Sequence, residues 1–280
     1  MQFLRIELTM STHKQALITG GSSGIGLAVA RALAREGVDI CLLARDEQKL
    51  TSAKEEITSA ASRVDQRIDT ISCDIRDYET LSHKLETWMA ATGTPDLVIN
   101  SAGVVYPGYF QDLDVEIFHW LMNINYFGTL HVLKILIPKM IKRGSGTVVN
   151  IASQAGFVGV FGYTGYGASK YAVRGLSDAL RAEMKPLGIQ VSIVFPPDTQ
   201  TPQLDFEAPL KPPETKAIAG SSKTLSPEQV AESILNGIKN KKYVIIPGFE
   251  GKILYRLINL LGNLTFPVMD WLVRREQKNN

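Results

Sequence analysis

The stretch Tyr166-Gly167-Ala168-Ser169-Lys170 sets a phenol and an ammonium four positions apart, on one face of a helix. A free tyrosine has a pKa near ~10 and is a poor acid–base group at neutral pH. A neighbouring cation favours the phenolate and lowers that value, so the pair points to proton transfer at an oxygen. Alone, the spacing is common on helices and usually marks a surface pair. A second stretch, Thr19-Gly20-Gly21-Ser22-Ser23-Gly24-Ile25-Gly26, joins an apolar run to a helical one. Glycines there permit a tight turn and let backbone N–H groups approach a pyrophosphate at the helix N-terminus. A third, Ile40-Cys41-Leu42-Leu43-Ala44-Arg45, has Ala44 where an acidic residue would bond the ribose hydroxyls of NAD. Arg45 follows, and a guanidinium suits a phosphate monoester, so the expected cofactor is NADPH/NADP, with Ser22 and Ser23 as further donors. The plainer reading of Arg45 is a surface arginine at a strand end.

Such groups need a framework that brings strand ends and helix starts to one edge. Apolar, β-rich runs occur at Ala16–Ile18, Val38–Leu43, Asp69–Ser72, Leu97–Ile99, Thr147–Ile151, Val191–Val194 and Tyr243–Ile246. Helical patterns fall between them at Ile25–Arg35, Asp46–Ala61, Tyr78–Ala91, Val115–Arg143, Tyr166–Met184 and Pro227–Asn240. The alternation predicts an α/β fold, a single-domain Rossmann-like doubly wound parallel sheet with helices on both faces. Pro196–Ser226, dense in proline and threonine, interrupts the pattern and reads as a substrate flap. The expected organisation is an N-terminal extension over 1–13, a nucleotide-binding catalytic domain over 14–250 with its flap at 196–226, and an apolar segment over 251–280.

Composition narrows the function classes. Apolar residues at 45% and charged residues at 21% of 280 match a globular chain and argue against disorder. A net charge of +2 without a long basic run argues against nucleic acid as a partner. Cys41 and Cys73 make no disulfide framework, and His13, His83, His119 and His131 show no metal-ligand spacing, so no metal is expected. A reducing, cytoplasmic compartment follows. Arg5 and Glu7 break the first stretch, so no signal peptide is expected, and Met10 is a second candidate start beside Met1. The run Leu257–Met269 holds no charge but is shorter than the roughly 20 residues of a membrane span. It is expected either to pack on the body or a subunit partner, or to lie over 251–273 as a peripheral amphipathic segment on a cytoplasmic membrane face.

The T-G-x-x-x-G-x-G spacing, the Y-x-x-x-K pair, Ser153 in Ile151-Ala152-Ser153-Gln154-Ala155-Gly156 and Asn125 in Asn125-Tyr126-Phe127-Gly128 together resemble the short-chain dehydrogenase/reductase family. The resemblance spans roughly 14–248. It implies carbonyl reduction. Ser153 would bond the substrate carbonyl, Tyr166 would protonate its oxygen, Lys170 would hold the ribose and lower the tyrosine pKa, and Asn125 would support a proton relay. It also implies cofactor contacts from Gly20, Ser22, Ser23, Gly24, Ile25 and Gly26, from Asp74 and Ile75 at the adenine, and from Asn100, Ala102 and Gly103. Pro196, Thr199 and Thr201 would meet the nicotinamide end. Asn100-Ser101-Ala102-Gly103 and Pro197-Asp198 each depart from the family pattern at one position, Ser101 and Asp198.

A narrower likeness is to the branch that reduces 3-ketodihydrosphingosine with NADPH. It rests on Gly159-Val160-Phe161-Gly162-Tyr163-Thr164, Arg174-Gly175-Leu176, Pro196-Pro197-Asp198-Thr199-Gln200-Thr201-Pro202 and Lys211-Pro212-Pro213-Glu214-Thr215. The implied substrate needs an apolar channel, for which Phe157, Val158, Val160, Phe161, Tyr163, Leu204 and Phe206 are candidates. It also needs a partner for its amine, for which Asp198, Asp205 and Glu207 are candidates. Two alternatives stay open: another lipophilic carbonyl (a β-ketoacyl thioester, steroid or retinoid), and a non-catalytic NADP-binding sensor or scaffold. Ala168, Ala172, Gly175, Ala179 and Ala182 form a small-residue stripe on the helix through which the family pairs subunits, so a homodimer or tetramer is expected. Packing of that stripe on its own sheet is the alternative.

Overall fold

The structure, a computed structural model, describes residues 14–219 and 224–277. The extension over 1–13 with both candidate starts, four flap positions at 220–223 and the last three residues lie outside the described residues. Seven strands form one parallel sheet: β1 (Gln15–Thr19), β2 (Asp39–Ala44), β3 (Ile68–Ser72), β4 (Leu97–Asn100), β5 (Gly146–Ile151), β6 (Ile189–Val194) and β7 (Val244–Ile245). Their order is β3-β2-β1-β4-β5-β6-β7. The chain leaves β1 in one direction and returns to its other side at β4, which makes the crevice where such sheets bind ligands.

Side chains of period two divide the sheet into two cores. Ile18, Ile40, Leu42 and Ile99 face α1 (Gly24–Arg35), α2 (Glu47–Ala60) and α9 (Pro227–Lys239), meeting Leu33, Leu50, Ile57 and Ile234. Leu17, Cys41, Leu43 and Val98 face α3 (Tyr78–Thr92) and α5 (Thr129–Arg143), meeting Leu81, Leu85, Val132 and Leu136. Each named strand side chain is almost or wholly buried, as a parallel sheet covered on both faces requires. Caps set the helix starts: the Asp46 and Asp77 carboxylates accept from Lys49 and Thr80 N–H, and Ser226 forms a reciprocal box with Gln229.

Three segments depart from the sequence expectation. The single helix expected over Val115–Arg143 is α4 (Val115–Met122), a π-helical turn (Asn123–Gly128) and then α5. That turn carries Asn125, and π-turns recur at functional sites. The flap is not irregular: α7 (Pro202–Glu207) and α8 (Pro213–Ala219) lie within it. Two of its prolines, Pro202 and Pro213, start these helices, where a missing N–H costs nothing. The tail continues as α10 (Phe249–Leu261) and α11 (Thr265–Gln277). The Tyr255 ring of α10 lies 5.1 Å from Phe157 and 6.0 Å from Phe195, and α11 reaches α8 of the flap. Thus the tail packs on the body, and α10 begins inside the span assigned to the catalytic domain. Its outer face leaves Leu257, Leu260 and Leu261 exposed. No described helix is long and apolar enough to cross a membrane.

The remaining helix, α6 (Thr164–Met184), is tied to the sheet by a buried polar chain. Asn100 Nδ2 donates to Asn150 Oδ1 (2.8 Å), Asn150 Nδ2 to Ser177 Oγ (2.9 Å), and Ser177 Oγ to the Val173 carbonyl (2.7 Å). In the small-residue stripe of α6, Ala168, Gly175, Ala179 and Ala182 are exposed and Ala172 is half-buried. The stripe therefore does not pack on its own sheet.

Truncating Asn150 would strand two buried partners. Asn150→Ala should cost about 1–3 kcal/mol of stability. Urea unfolding checks this, and a loss below about 0.5 kcal/mol would contradict it.

Candidate active site

The glycine loop is held by Thr19, whose Oγ1 accepts from the N–H groups of Ser101 and Ala102, both at 3.1 Å. This ties the end of β1 to the segment after β4. Gly20 has φ +64, and a Cβ there would lie 2.8 Å from the Ala102 backbone. At Gly26 a Cβ would meet the Gly20 carbonyl oxygen at 2.4 Å, so only glycine lets α1 start this close to the loop. Ser23, the residue before α1, makes no side-chain capping bond. The first N–H groups of α1 therefore face the cavity without a side-chain cap, as a site for a dinucleotide pyrophosphate requires. The residues fit that group.

A cavity of about 920 Å³ opens along the C-terminal ends of β1, β4, β5 and β6. Gly20, Ser23, Gly24 and Ile25 line one part, and Ala102 and Gly103 the floor beside it. Ser153, Tyr166 and Lys170 line the middle, with Pro196, Thr199 and Thr201 opposite. Six expected cofactor positions lie outside this cavity. Gly26 is beneath the loop, Ser22 is on its flank, and Asn100 is turned into the polar chain described above. Arg45 is exposed after β2, close enough to Asp74 for their charges to interact. Asp74 is gripped by Arg76, whose guanidinium hydrogen bonds hold its carboxyl below the usual range. Ile75 is buried, and its carbonyl accepts from His131 Nδ1 at 2.8 Å.

Asn125 is likewise behind the cavity wall. Its Nδ2 donates to the Val104 carbonyl and to Ser169 Oγ, both at 2.9 Å, and its Oδ1 accepts from Val104 N–H at 2.8 Å. A Cβ on Gly103 would lie 3.2 Å from Asn125 Oδ1 and 3.3 Å from Lys170 Nζ, so the two side chains meet across that glycine. The side chain of Asn125 is a brace.

Tyr166 and Lys170 share a face of α6, with Nζ 5.7 Å from the phenol ring centroid. Nζ donates to the Ile151 carbonyl at 3.1 Å, and burial pushes the lysine pKa down to about 8. Ser153 follows β5 and caps a short turn, its Oγ accepting from Ala155 N–H at 3.2 Å. Ser153 and Gln203 stand beside the Tyr166 phenol and favour its ionised form. The tyrosine pKa corrects the sequence expectation. It is raised, because burial of the phenol dominates, and the neighbouring Ser153 and Gln203 side chains only partly offset that. The Glu207 and Asp198 carboxylates push in the same upward direction. At neutral pH the phenol keeps its proton, the form that can protonate a carbonyl oxygen.

Of the expected channel residues, Val158, Val160, Tyr163 and Leu204 line the cavity. Phe157 instead packs in the core against Phe195, Phe161 against Tyr109, and Phe206 is exposed beside Tyr106. Asp198 and Glu207 line the cavity, whereas Asp205 is exposed outside it. Sequence reasoning missed Gln203, and it missed Phe249, Gly251 and Leu254 of α10 as cavity wall. Their apolar tail was visible, but nothing local shows that its first turn folds back to the cavity.

The sequence profile described as short chain dehydrogenase matches residues 14–209. The chain is 39% identical over 242 residues to 3-ketodihydrosphingosine reductase of Bos taurus, covering 86% of this chain and 73% of that protein. It is 39% identical over 246 residues to a protein of the same name from Dictyostelium discoideum, covering 83% and 74%. Among solved structures, levodione reductase superposes with a TM-score of 0.78 at 25% identity, covering 85% of this chain and 97% of that one. A short-chain dehydrogenase from Sphingobium yanoikuyae in complex with NADPH gives 0.75 at 25% identity, covering 91% and 95%.

The lysine yields a test of the burial argument. The charged form is penalised in the folded chain below about 8, and the penalty disappears as pH rises towards the ordinary value of 10.5. Across that window the wild type should gain stability relative to Lys170→Met in denaturant unfolding. A difference that does not change with pH would contradict the assignment.

Proposed function

This chain belongs to the short-chain dehydrogenase/reductase family, and from that premise we propose that it uses NADPH to reduce 3-ketodihydrosphingosine to dihydrosphingosine. It is an oxidoreductase of the nicotinamide-dependent kind. The observation that carries the substrate reading is the match, over most of the chain, to relatives named for this ketone. The geometry agrees with it, since one cavity joins the Ser153–Tyr166–Lys170 group to apolar walls at Val158, Val160, Leu204 and Leu254.

The substrate carbonyl oxygen takes hydrogen bonds from Ser153 and Tyr166. As negative charge grows on that oxygen, both hydroxyls stabilise it, and Tyr166 gives up its proton. NADPH, when bound, supplies the hydride to the carbonyl carbon. Lys170 holds the nicotinamide ribose with the donors that the Ile151 carbonyl leaves free. Asn125 supports the return of a proton by keeping Gly103 and Val104 against Lys170. Gln203 steadies the phenol from the flap side.

Arg45 favours NADPH because its guanidinium stands at the end of β2 with no carboxylate at Ala44 to repel a phosphate. The exposed faces of α10, of α11 and of the turn between them, including Leu260, Leu264 and Phe266, serve as the peripheral contact with a cytoplasmic membrane face, assisted by Lys252 and Arg256. The exposed stripe on α6 serves as the contact of a homodimer or tetramer.

Purified full chain in mild detergent should oxidise NADPH rapidly with 3-ketodihydrosphingosine, and slowly with a β-ketoacyl thioester or a small water-soluble ketone. The reverse order would refute the substrate assignment. Tyr166→Phe should lower kcat by roughly 10²–10⁴ with cofactor affinity nearly unchanged. Full turnover in that variant would overturn the proton-transfer role. Ala44→Asp should reduce the NADPH-to-NADH ratio of kcat/KM at least about tenfold, since it sets a carboxylate against the phosphate site. A ratio that stays put would remove Arg45 from cofactor choice.

A further inference from the structure

The catalytic cavity is apolar along part of its lining but carries two carboxylates, Asp198 and Glu207, in the same wall as the phenol. Glu207 ends α7 and is 6% exposed. Its Oε2 accepts from the Tyr163 hydroxyl at 3.0 Å, and its Oε1 lies 3.3 Å from Lys211 Nζ. Lys211, 8% exposed, also reaches Asp198 Oδ2 at 2.9 Å. Two carboxylates therefore share one ammonium. Asp198 and Glu207 both line the cavity, whereas Lys211 stands behind them. Both carboxylates act electrostatically on the Tyr166 phenol and line the same cavity as it does. The Tyr163 ring, 5.5 Å from that of Tyr166, links the two groups.

Two carboxylates that share one buried ammonium are better satisfied when a further cation reaches them. With the ketone oxygen at Ser153 and Tyr166, an amino group on the adjacent carbon is held close to the phenol, in the cavity that these carboxylates line. We propose that Asp198 and Glu207 receive the ammonium group next to the reducible carbonyl, and so select amino ketones over ketones of equal chain length. The inference rests on the assignment of 3-ketodihydrosphingosine and names the residues that recognise its amine. Asp198 occupies the position at which the chain departs from the family's proline–glycine pattern, and the departure supplies the charge. Tyr163 and Lys211 act through the carboxylates as positioning residues. The arriving ammonium also offsets the upward push of the two carboxylates on Tyr166, which eases proton release once the correct substrate is bound.

The test compares 3-ketodihydrosphingosine with its analogue lacking the amino group, both with NADPH, in the full chain and in Asp198→Asn and Glu207→Gln. The readout is the ratio of kcat/KM for the amino ketone over the analogue. The wild type should favour the amino ketone, and each variant should lower the ratio at least tenfold, chiefly through KM. Asp198→Asn, at the more open of the two sites, keeps the test decisive if Glu207→Gln fails to fold. A ratio near unity in the wild type, or one unmoved by a folded variant, would overturn the assignment while leaving the reductase reading intact. A wild type that reduces the analogue but not the amino ketone would overturn both.

Discussion

Burial of a phenol and an ammonium side by side, at the mouth of a parallel sheet, is the constraint on which the rest of the structure depends. Lys170 donates to the Ile151 carbonyl at the end of β5, and Tyr166 stands beside Ser153, just beyond that strand, and Gln203 of the flap. Removing these groups from water raises the proton affinity of the phenol and lowers that of the amine. The pair thus begins the reaction with the proton on the tyrosine, the state that a reduction consumes. The position of α6 must be held closely for this to work, and the Asn100–Asn150–Ser177 chain supplies that hold from within the core.

The glycine loop answers a second demand, that backbone come close where side chains cannot. Gly20 and Gly26 pack against Ala102 and against each other at distances that exclude a Cβ, and Thr19 ties the loop to the segment after β4. The same segment carries Gly103, at which Asn125 and Lys170 meet. The glycine loop and the Tyr166–Lys170 pair are therefore braced by shared residues. The flap and α10 close the far side, and they contribute Gln203, Glu207 and Leu254 to the cavity.

Much of this was legible in the sequence. All seven strands lie where the apolar runs place them, because a sheet buried on both faces needs continuous apolar strands. Ser153, Tyr166 and Lys170 meet in one cavity, since strand ends and a helix face converge at a single edge. Where reading failed, the cause was tertiary. Proline in the flap was taken as a loop signal although it starts α7 and α8. The π-turn at Asn125 follows from bonds to Val104 and Ser169, residues far away in the chain. The raised tyrosine pKa follows from burial, which no four-residue spacing reports. The inward turn of α10 depends on Tyr255 stacking near Phe157 and Phe195.

The most direct measurement uses NADPH deuterated at its transferable position, with 3-ketodihydrosphingosine and the full chain, and reads the product by mass spectrometry. The account predicts dihydrosphingosine carrying one deuterium on the former carbonyl carbon. Unlabelled product, or no product while a small ketone is reduced, would contradict it.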